Sequence, residues 1–124
     1  MIFLDTSVLI ECFTGTQRLL DSFRALIKQN ERLGLPSVVL HEWLRGPRFA
    51  EELNLQEATF PNSSVFPFGA EEAVIAARLY KALRRARGRE IDLMIAASAI
   101  RHDAELWTLN VADFKDIPGL RLLR

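Results

Sequence analysis

Ile2-Phe3-Leu4-Asp5-Thr6-Ser7 opens the chain with three apolar residues that stop at a carboxylate followed by two hydroxyls. Ile and Phe favour strands, and a short, continuously apolar run fits a strand buried on both faces. In an open parallel sheet, ligands collect at the carboxyl ends of the strands. An acid placed there, ahead of a polar turn, is a candidate metal ligand. Its weight depends on whether other acids arrive at the same edge.

Working outward, Thr6-Ser7 caps a first helix to about Phe13, stopped near Gly15. From Thr16 to Arg32, the residues Leu19, Leu20, Phe23, Leu26, Ile27 and then Leu33 mark one helical face, which Gly34 ends. Ser37-Val38-Val39-Leu40 reads as a second buried strand. His41 to about Leu53 reads as a helix that Gly46-Pro47 must kink or split. Glu57 to Ser64 is a loop, and Val65-Phe66 a short third strand ended by Pro67. A long helix spans Gly69 to Arg87, Gly88 breaks it, and a very apolar helix runs from Glu90 to His102. Glu105 to Leu109 is a fourth strand, Asn110 to Phe114 a turn, and Leu120 to Leu123 a last strand. Strands alternating with helices predict an α/β fold: three layers, α/β/α, around a short, mostly parallel central sheet of four to five strands.

At 124 residues the chain is one domain, 1–124, and 49% hydrophobic composition supplies a core. The formal net charge of +0 gives no global pull on nucleic acid, so any such affinity needs a local patch. A lone cysteine, Cys12, excludes an internal disulfide and a zinc site of several thiolates, and fits a reducing compartment. With structure expected from Met1 onward, no signal peptide is expected. The longest apolar run, Ile91 to Ile100, is broken by Asp92 and Ser98 and falls far short of the ~20 residues that span a bilayer. The expectation is a soluble, cytoplasmic protein.

Three acids fall at strand ends: Asp5 after the first strand, Glu42 two residues beyond Leu40, and Asp113 in the turn after the fourth strand. Asp92 comes by another route. The helix feeding the fourth strand must run antiparallel to the strands, so its first turn lies at their carboxyl edge. Ten residues from Asp92 to His102 span ~15 Å of helix, matching a five-residue strand of ~16 Å. Four carboxylates in one cleft repel one another and titrate upward unless a cation sits among them. All-oxygen ligands select hard ions, Mg²⁺ or its substitute Mn²⁺. Such an ion can activate water against a phosphodiester. Each acid also has a plainer reading: Asp5 and Asp113 as caps, Glu42 as a surface glutamate, Asp92 as a partner of the helix dipole. Convergence is what decides between them.

Four blocks carry a resemblance: Leu4-Asp5-Thr6-Ser7; Ser37 with His41-Glu42-Trp43-Leu44-Arg45-Gly46; Ile91-Asp92-Leu93-Met94-Ile95-Ala96-Ala97-Ser98-Ala99; and Leu106-Trp107-Thr108-Leu109-Asn110-Val111-Ala112-Asp113-Phe114. In this order, over essentially the whole chain, they resemble the PIN domain, and within it the short VapC-like toxins of bacterial and archaeal toxin–antitoxin pairs. The resemblance implies a PIN-like fold and a Mg²⁺-dependent endoribonuclease held inactive by a VapB-like antitoxin, commonly as a homodimer. By position it makes Asp5 and Asp92 the main metal ligands and Glu42 the third acid. The fourth place falls on Asn110 in some members and on Asp113 in others; Asp113 is taken here, with Asn110 as a helper. Thr6 and Thr108 are placed to hydrogen-bond the carboxylates.

Arg78, Lys81, Arg84, Arg85, Arg87 and Arg89 form the one basic cluster, ending just before Asp92. It is either a solvated face or an RNA-contacting rim, chiefly Arg84, Arg85, Arg87 and Arg89, beside the acids. Acids of an antitoxin are another possible partner for these arginines. His41, His102, Cys12, Trp43 and Trp107 read as structural or exposed. Leu19, Leu20, Phe23 and Phe49 are candidates for an apolar antitoxin groove or a dimer face. The alternative function is a catalytically weak or inactive RNA- or protein-binding module, which the amide at Asn110 permits. A phosphoryl-accepting domain ranks last, because no lysine lies between Lys28 and Lys81 or again before Lys115.

Overall fold

In the computed structural model, which describes residues 1–124, the opening apolar run forms the inner strand β1 (Ile2–Leu4). It is flanked by β2 (Leu33–Gly34) and β3 (Glu105–Trp107), and β4 (Arg121–Leu122) completes the order β2-β1-β3-β4. All pairings are parallel, with Phe3 opposite both Gly34 and Leu106, and Leu106 opposite Leu122. Helices α1 (Thr6–Phe13) and α2 (Leu20–Lys28) connect β1 to β2. Helices α3 (Ser37–Arg45), α4 (Ala50–Thr59), α5 (Ala70–Ala82) and α6 (Glu90–Arg101) carry the chain to β3, and α7 (Val111–Phe114) leads to β4. The expected α/β sheet flanked by helices is present, with four strands. From β1 the chain winds to one side of the sheet and from β3 to the other. The carboxyl ends of β1 and β3 therefore flank the point where winding reverses, which is where open sheets bind ligands.

Several boundaries differ from the sequence reading. Ser37 to Leu40 is the start of α3 and not a strand; the second strand is Leu33–Gly34, where the sequence pattern predicts the end of a helix face and its stop. Val38 and Val39 cost a helix only a few tenths of a kcal/mol each, while the helix buries Val39 and Trp43, four residues apart, completely. Pro36, with extended backbone, closes the strand segment and precedes the first turn. Gly34 belongs in the sheet because a Cβ there would come within 2.8 Å of the Phe3 ring and 2.9 Å of the Phe66 ring. Val65-Phe66 contributes one parallel bridge, Pro36 to Phe66, and no strand. Gly46-Pro47 does split the helical stretch, but α4 runs on to Thr59, into the expected loop. Helix α5 stops at Ala82 rather than Arg87, so Arg84 to Arg87 lie in the turn that Gly88 (φ +85°) closes. The Asn110–Phe114 turn includes the short helix α7.

The core is one cluster in which Phe3, Leu4 and Leu106 of the sheet meet Val8, Leu9, Val39, Trp43 and the α6 residues Leu93, Ile95 and Ala96. Cys12 is buried there, and burial pushes its thiol up to about 12. Phe23 is also core, edge-on to Phe13 and Phe60, and so drops out of any apolar groove. Trp43 is fully buried, and His102 packs on Phe3 and Phe66 beside Glu72. No helix is long and apolar enough to cross a membrane.

Candidate functional site

Asp5 ends β1 and holds the N-cap position of α1, but its carboxylate caps nothing. Instead Oδ2 accepts hydrogen bonds from Thr108 Oγ1 at 2.6 Å and Ser7 Oγ at 3.0 Å, and Oδ1 receives no protein donor. With 4% of its surface exposed, Asp5 is a buried carboxylate with one oxygen left to a ligand. Thr108 directly follows β3, and the Asp5 amide donates to Trp107 O at 2.9 Å. The parallel pairing of β1 with β3 thus brings together residues 103 apart in sequence.

Asp92 lies in the first turn of α6, and no hydrogen bond is donated to its carboxylate. Its pKa is pushed up to about 6, first by burial and then by the negative charges of Asp5, Asp113 and Glu42, against a downward pull from Arg89. All three other predicted acids are therefore close enough for Asp92 to feel them. Helix α6 is the predicted antiparallel connection that returns an acid to the carboxyl edge.

Glu42 arrives differently from the reading above. It does not follow a strand; it is the sixth residue of α3. The α1–α3 contact sets its position, with Thr6 Oγ1 donating to Glu42 Oε1 at 2.5 Å and Arg45 approaching Oε2 at 3.4 Å. Asp113 is exposed on α7, where its amide donates to Asn110 O at 2.9 Å. The Asn110 amide in turn donates to Thr108 Oγ1 at 3.0 Å, so one hydroxyl links Asp5 to the turn carrying Asp113. The Asn110 side chain makes no hydrogen bond, whereas the charge of Asp113 acts on Asp92.

No three Asp, Glu, His or Cys side chains close into a ready-made metal cage. Like charges stand apart unless something neutralises them. The donor chemistry nonetheless fits a hard divalent ion: oxygens only, one carboxylate raised by its acidic neighbours, and carboxylates on Asp92 and Asp113 with no protein donor. The hydroxyls of Thr108 and Ser7 donate to Asp5 and that of Thr6 to Glu42, the kind of partner that orients a carboxylate able to ligate a metal.

Beside the acids, an open cleft of about 430 Å³ is lined by Arg84, Arg85, Arg89, Ala112, Asp113 and Asp116. The basic cluster thus flanks Asp113, with the guanidinium groups of Arg84 and Arg85 exposed. Arg87 is exposed outside this lining. Arg89 is engaged differently: its guanidinium donates to both carboxylate oxygens of Asp116, at 2.7 and 3.0 Å, and to the carbonyls of Asp113 and Arg85. The Asp116 bond holds Arg89 above its usual range. Sequence reasoning missed Asp116, which stands 27 residues from Arg89 with no motif to mark it, and read Ser7 only as a cap. The largest cavity, about 780 Å³ beside β4, contains none of the four acids.

The PIN domain family model matches residues 2–120. Over 124 aligned positions, 98% of each chain, the sequence is 33% identical to Ribonuclease VapC19 of Mycobacterium tuberculosis. A 63-residue segment, 48% of this chain, is 46% identical to Ribonuclease VapC1 of Rickettsia felis and spans 46%, under half, of that relative's length. The fold matches the VapBC2 structure from Rickettsia felis bound to a promoter DNA fragment, with TM-score 0.79 and 25% identity over 99% of this chain and 98% of that one. It also matches DNA-bound VapBC from Salmonella typhimurium, with TM-score 0.80 at 23% identity over 98% and 96% of the two chains.

Proposed function

Because the chain belongs to the PIN domain family, we propose that it is a metal-dependent endoribonuclease, the toxin of a toxin–antitoxin pair. The observation that carries this reading is the gathering of acids at the sheet's winding-reversal point: Asp5 at the end of β1 bonded to Thr108 after β3, Glu42 bonded to the adjacent Thr6, and Asp92 in the first turn of α6, its pKa raised by burial and then by their charges and that of Asp113. Relatives named as VapC ribonucleases and neighbours solved as VapBC complexes support it.

Asp5 and Asp92 would hold Mg²⁺, or Mn²⁺ in its place, with Glu42 and Asp113 completing the acidic set. Such an ion lowers the pKa of water and offsets charge on a phosphoryl group. The chain's own residues supply the geometry. Thr108 and Ser7 fix the Asp5 carboxylate through Oδ2 and leave Oδ1 without a protein donor, and Thr6 fixes Glu42. Arg84 and Arg85 supply exposed cations for flanking RNA phosphates, with Arg87 further along the same turn. An overall neutral protein then holds RNA only where it cuts.

The same reading includes a VapB-like antitoxin, a homodimer and a cytoplasmic location. Phe49, 74% exposed, offers apolar surface for such a partner, whereas Leu19 and Leu20 are half-buried. RNA cleavage by purified, antitoxin-free protein tests the activity, with Asp5→Asn as control. Mg²⁺-dependent cleavage lost in Asp5→Asn is expected. Cleavage that survives both chelation and that substitution refutes the proposal.

A further inference from the structure

We propose that Arg89 is a positioning residue that, with Asp116, clamps the α7 turn against the start of α6 and so holds the Asp113 carboxylate opposite Asp92. The inference rests on the nuclease reading above for its chemistry, but its geometry is independent of it. Arg89 is the N-cap residue of α6, one turn before Asp92. Its guanidinium reaches across to Asp116 through a fork of two bonds and to the Asp113 carbonyl at 2.8 Å. A fourth bond from the same guanidinium goes back to Arg85 O at 3.0 Å, so it ties the turn before α6 to the turn after β3.

The turn needs such a tie. Helix α7 has four residues, too few to be stable alone. Its hydrophobic anchor, Phe114, fixes one side of the turn, while Asp113 lies on the exposed side. Without Arg89, nothing else in the structure links the Asp113 segment to α6 by a side-chain hydrogen bond. A planar fork is suited to this, since one guanidinium satisfies two carboxylate oxygens and a carbonyl at once. The clamp grips the backbone carbonyl of Asp113 itself, whereas Arg89 makes no hydrogen bond to Asn110, whose amide donates to Thr108 Oγ1 and whose carbonyl accepts from the Asp113 amide. An arginine with this many protein partners is not free to act as an RNA contact like Arg84 and Arg85.

The test compares Arg89→Met, Arg89→Lys and Asp116→Asn, alone and combined with Asp113→Asn. The readouts are Mn²⁺ affinity of the full chain by electron paramagnetic resonance, and kcat and KM for RNA cleavage well below the melting point. Loss of an outer partner of a metal ligand costs about 10- to 100-fold. The clamp predicts that Asp116→Asn and Arg89→Met each weaken Mn²⁺ and lower kcat within that range, with KM little changed. Neither should add to Asp113→Asn. Lysine, a point charge, should not rescue. If Arg89 binds RNA, Arg89→Met raises KM alone and Asp116→Asn, by freeing the arginine, leaves or lowers KM; that result overturns the clamp. So do lowered melting temperatures with unchanged Mn²⁺ affinity and kcat, or a wild-type chain that binds no Mn²⁺. Clamp-sensitive Mn²⁺ binding without any RNA cleavage sustains the clamp and removes the nuclease reading instead.

Discussion

Replacing Thr108 by valine keeps the side chain's shape and deletes one hydroxyl. That hydroxyl donates to buried Asp5 at 2.6 Å and accepts from the Asn110 amide at 3.0 Å. A hydrogen bond to a charged group contributes about 1.5–3 kcal/mol. Ser7 remains as a donor to the same oxygen, so a loss near the lower half of that range, about 2 kcal/mol, is expected. Unfolding entropy of about 2.1 cal/mol/K per residue over 124 residues is about 0.26 kcal/mol/K, so melting should fall by about 8 °C. Cleavage should fall about 10- to 100-fold, because Asp5 loses the partner that orients it. Thr108→Ser keeps the hydroxyl and should retain most of both. The assays are thermal melting and RNA cleavage on all three proteins. A valine variant that melts and cleaves like wild type, or a serine variant as impaired as valine, would refute the assigned role of this hydrogen bond.

Two further outcomes follow from the same geometry. Asp92, pushed up to about 6 from an ordinary 3.8, binds its proton more tightly folded than unfolded. In chelator, its contribution to stability is therefore fullest below about pH 4 and is lost as pH rises to about 6. Asp92→Asn should flatten that part of a melting-temperature profile and raise the melting point at pH 7.5 while abolishing cleavage; an unchanged slope counts against the coupling. Gly34→Ala drives a methyl into the Phe3 and Phe66 rings and should cost about 1–3 kcal/mol, read in denaturant melts. A neutral result would mean that the rings yield without loss.

The acids were legible because each occupies a position whose meaning survives errors in the surrounding elements. Asp5 needs only a strand ending before it, and Asp92 only a helix leading back into a parallel strand; β1 ends at Leu4, and α6 starts two residues before Asp92 and leads to β3. Glu42 reaches the neighbourhood of Asp5 from α3, held by Thr6, and not from the end of a strand. Ser37-Val38-Val39-Leu40 is a four-residue apolar run, too short for periodicity to separate strand from helix. What separated them was distant: Gly34 fitting under Phe3 and Phe66, and Val39 with Trp43 filling the core. Arg89 looked like one more surface cation because its partner, Asp116, lies beyond the whole of α6 and β3.

The order of apolar runs, turns and acids along the chain was sufficient for an α/β domain with a parallel sheet and for the identity of its four candidate acids, because those depend on local spacing and on chain direction. Tertiary structure alone decided that β2 is Leu33–Gly34, that Glu42 is held by Thr6, and that Arg89 grips Asp116 and the Asp113 carbonyl. Each of these turns on which groups lie within hydrogen-bond or van der Waals reach after packing, a short-range matter between residues that the sequence keeps far apart.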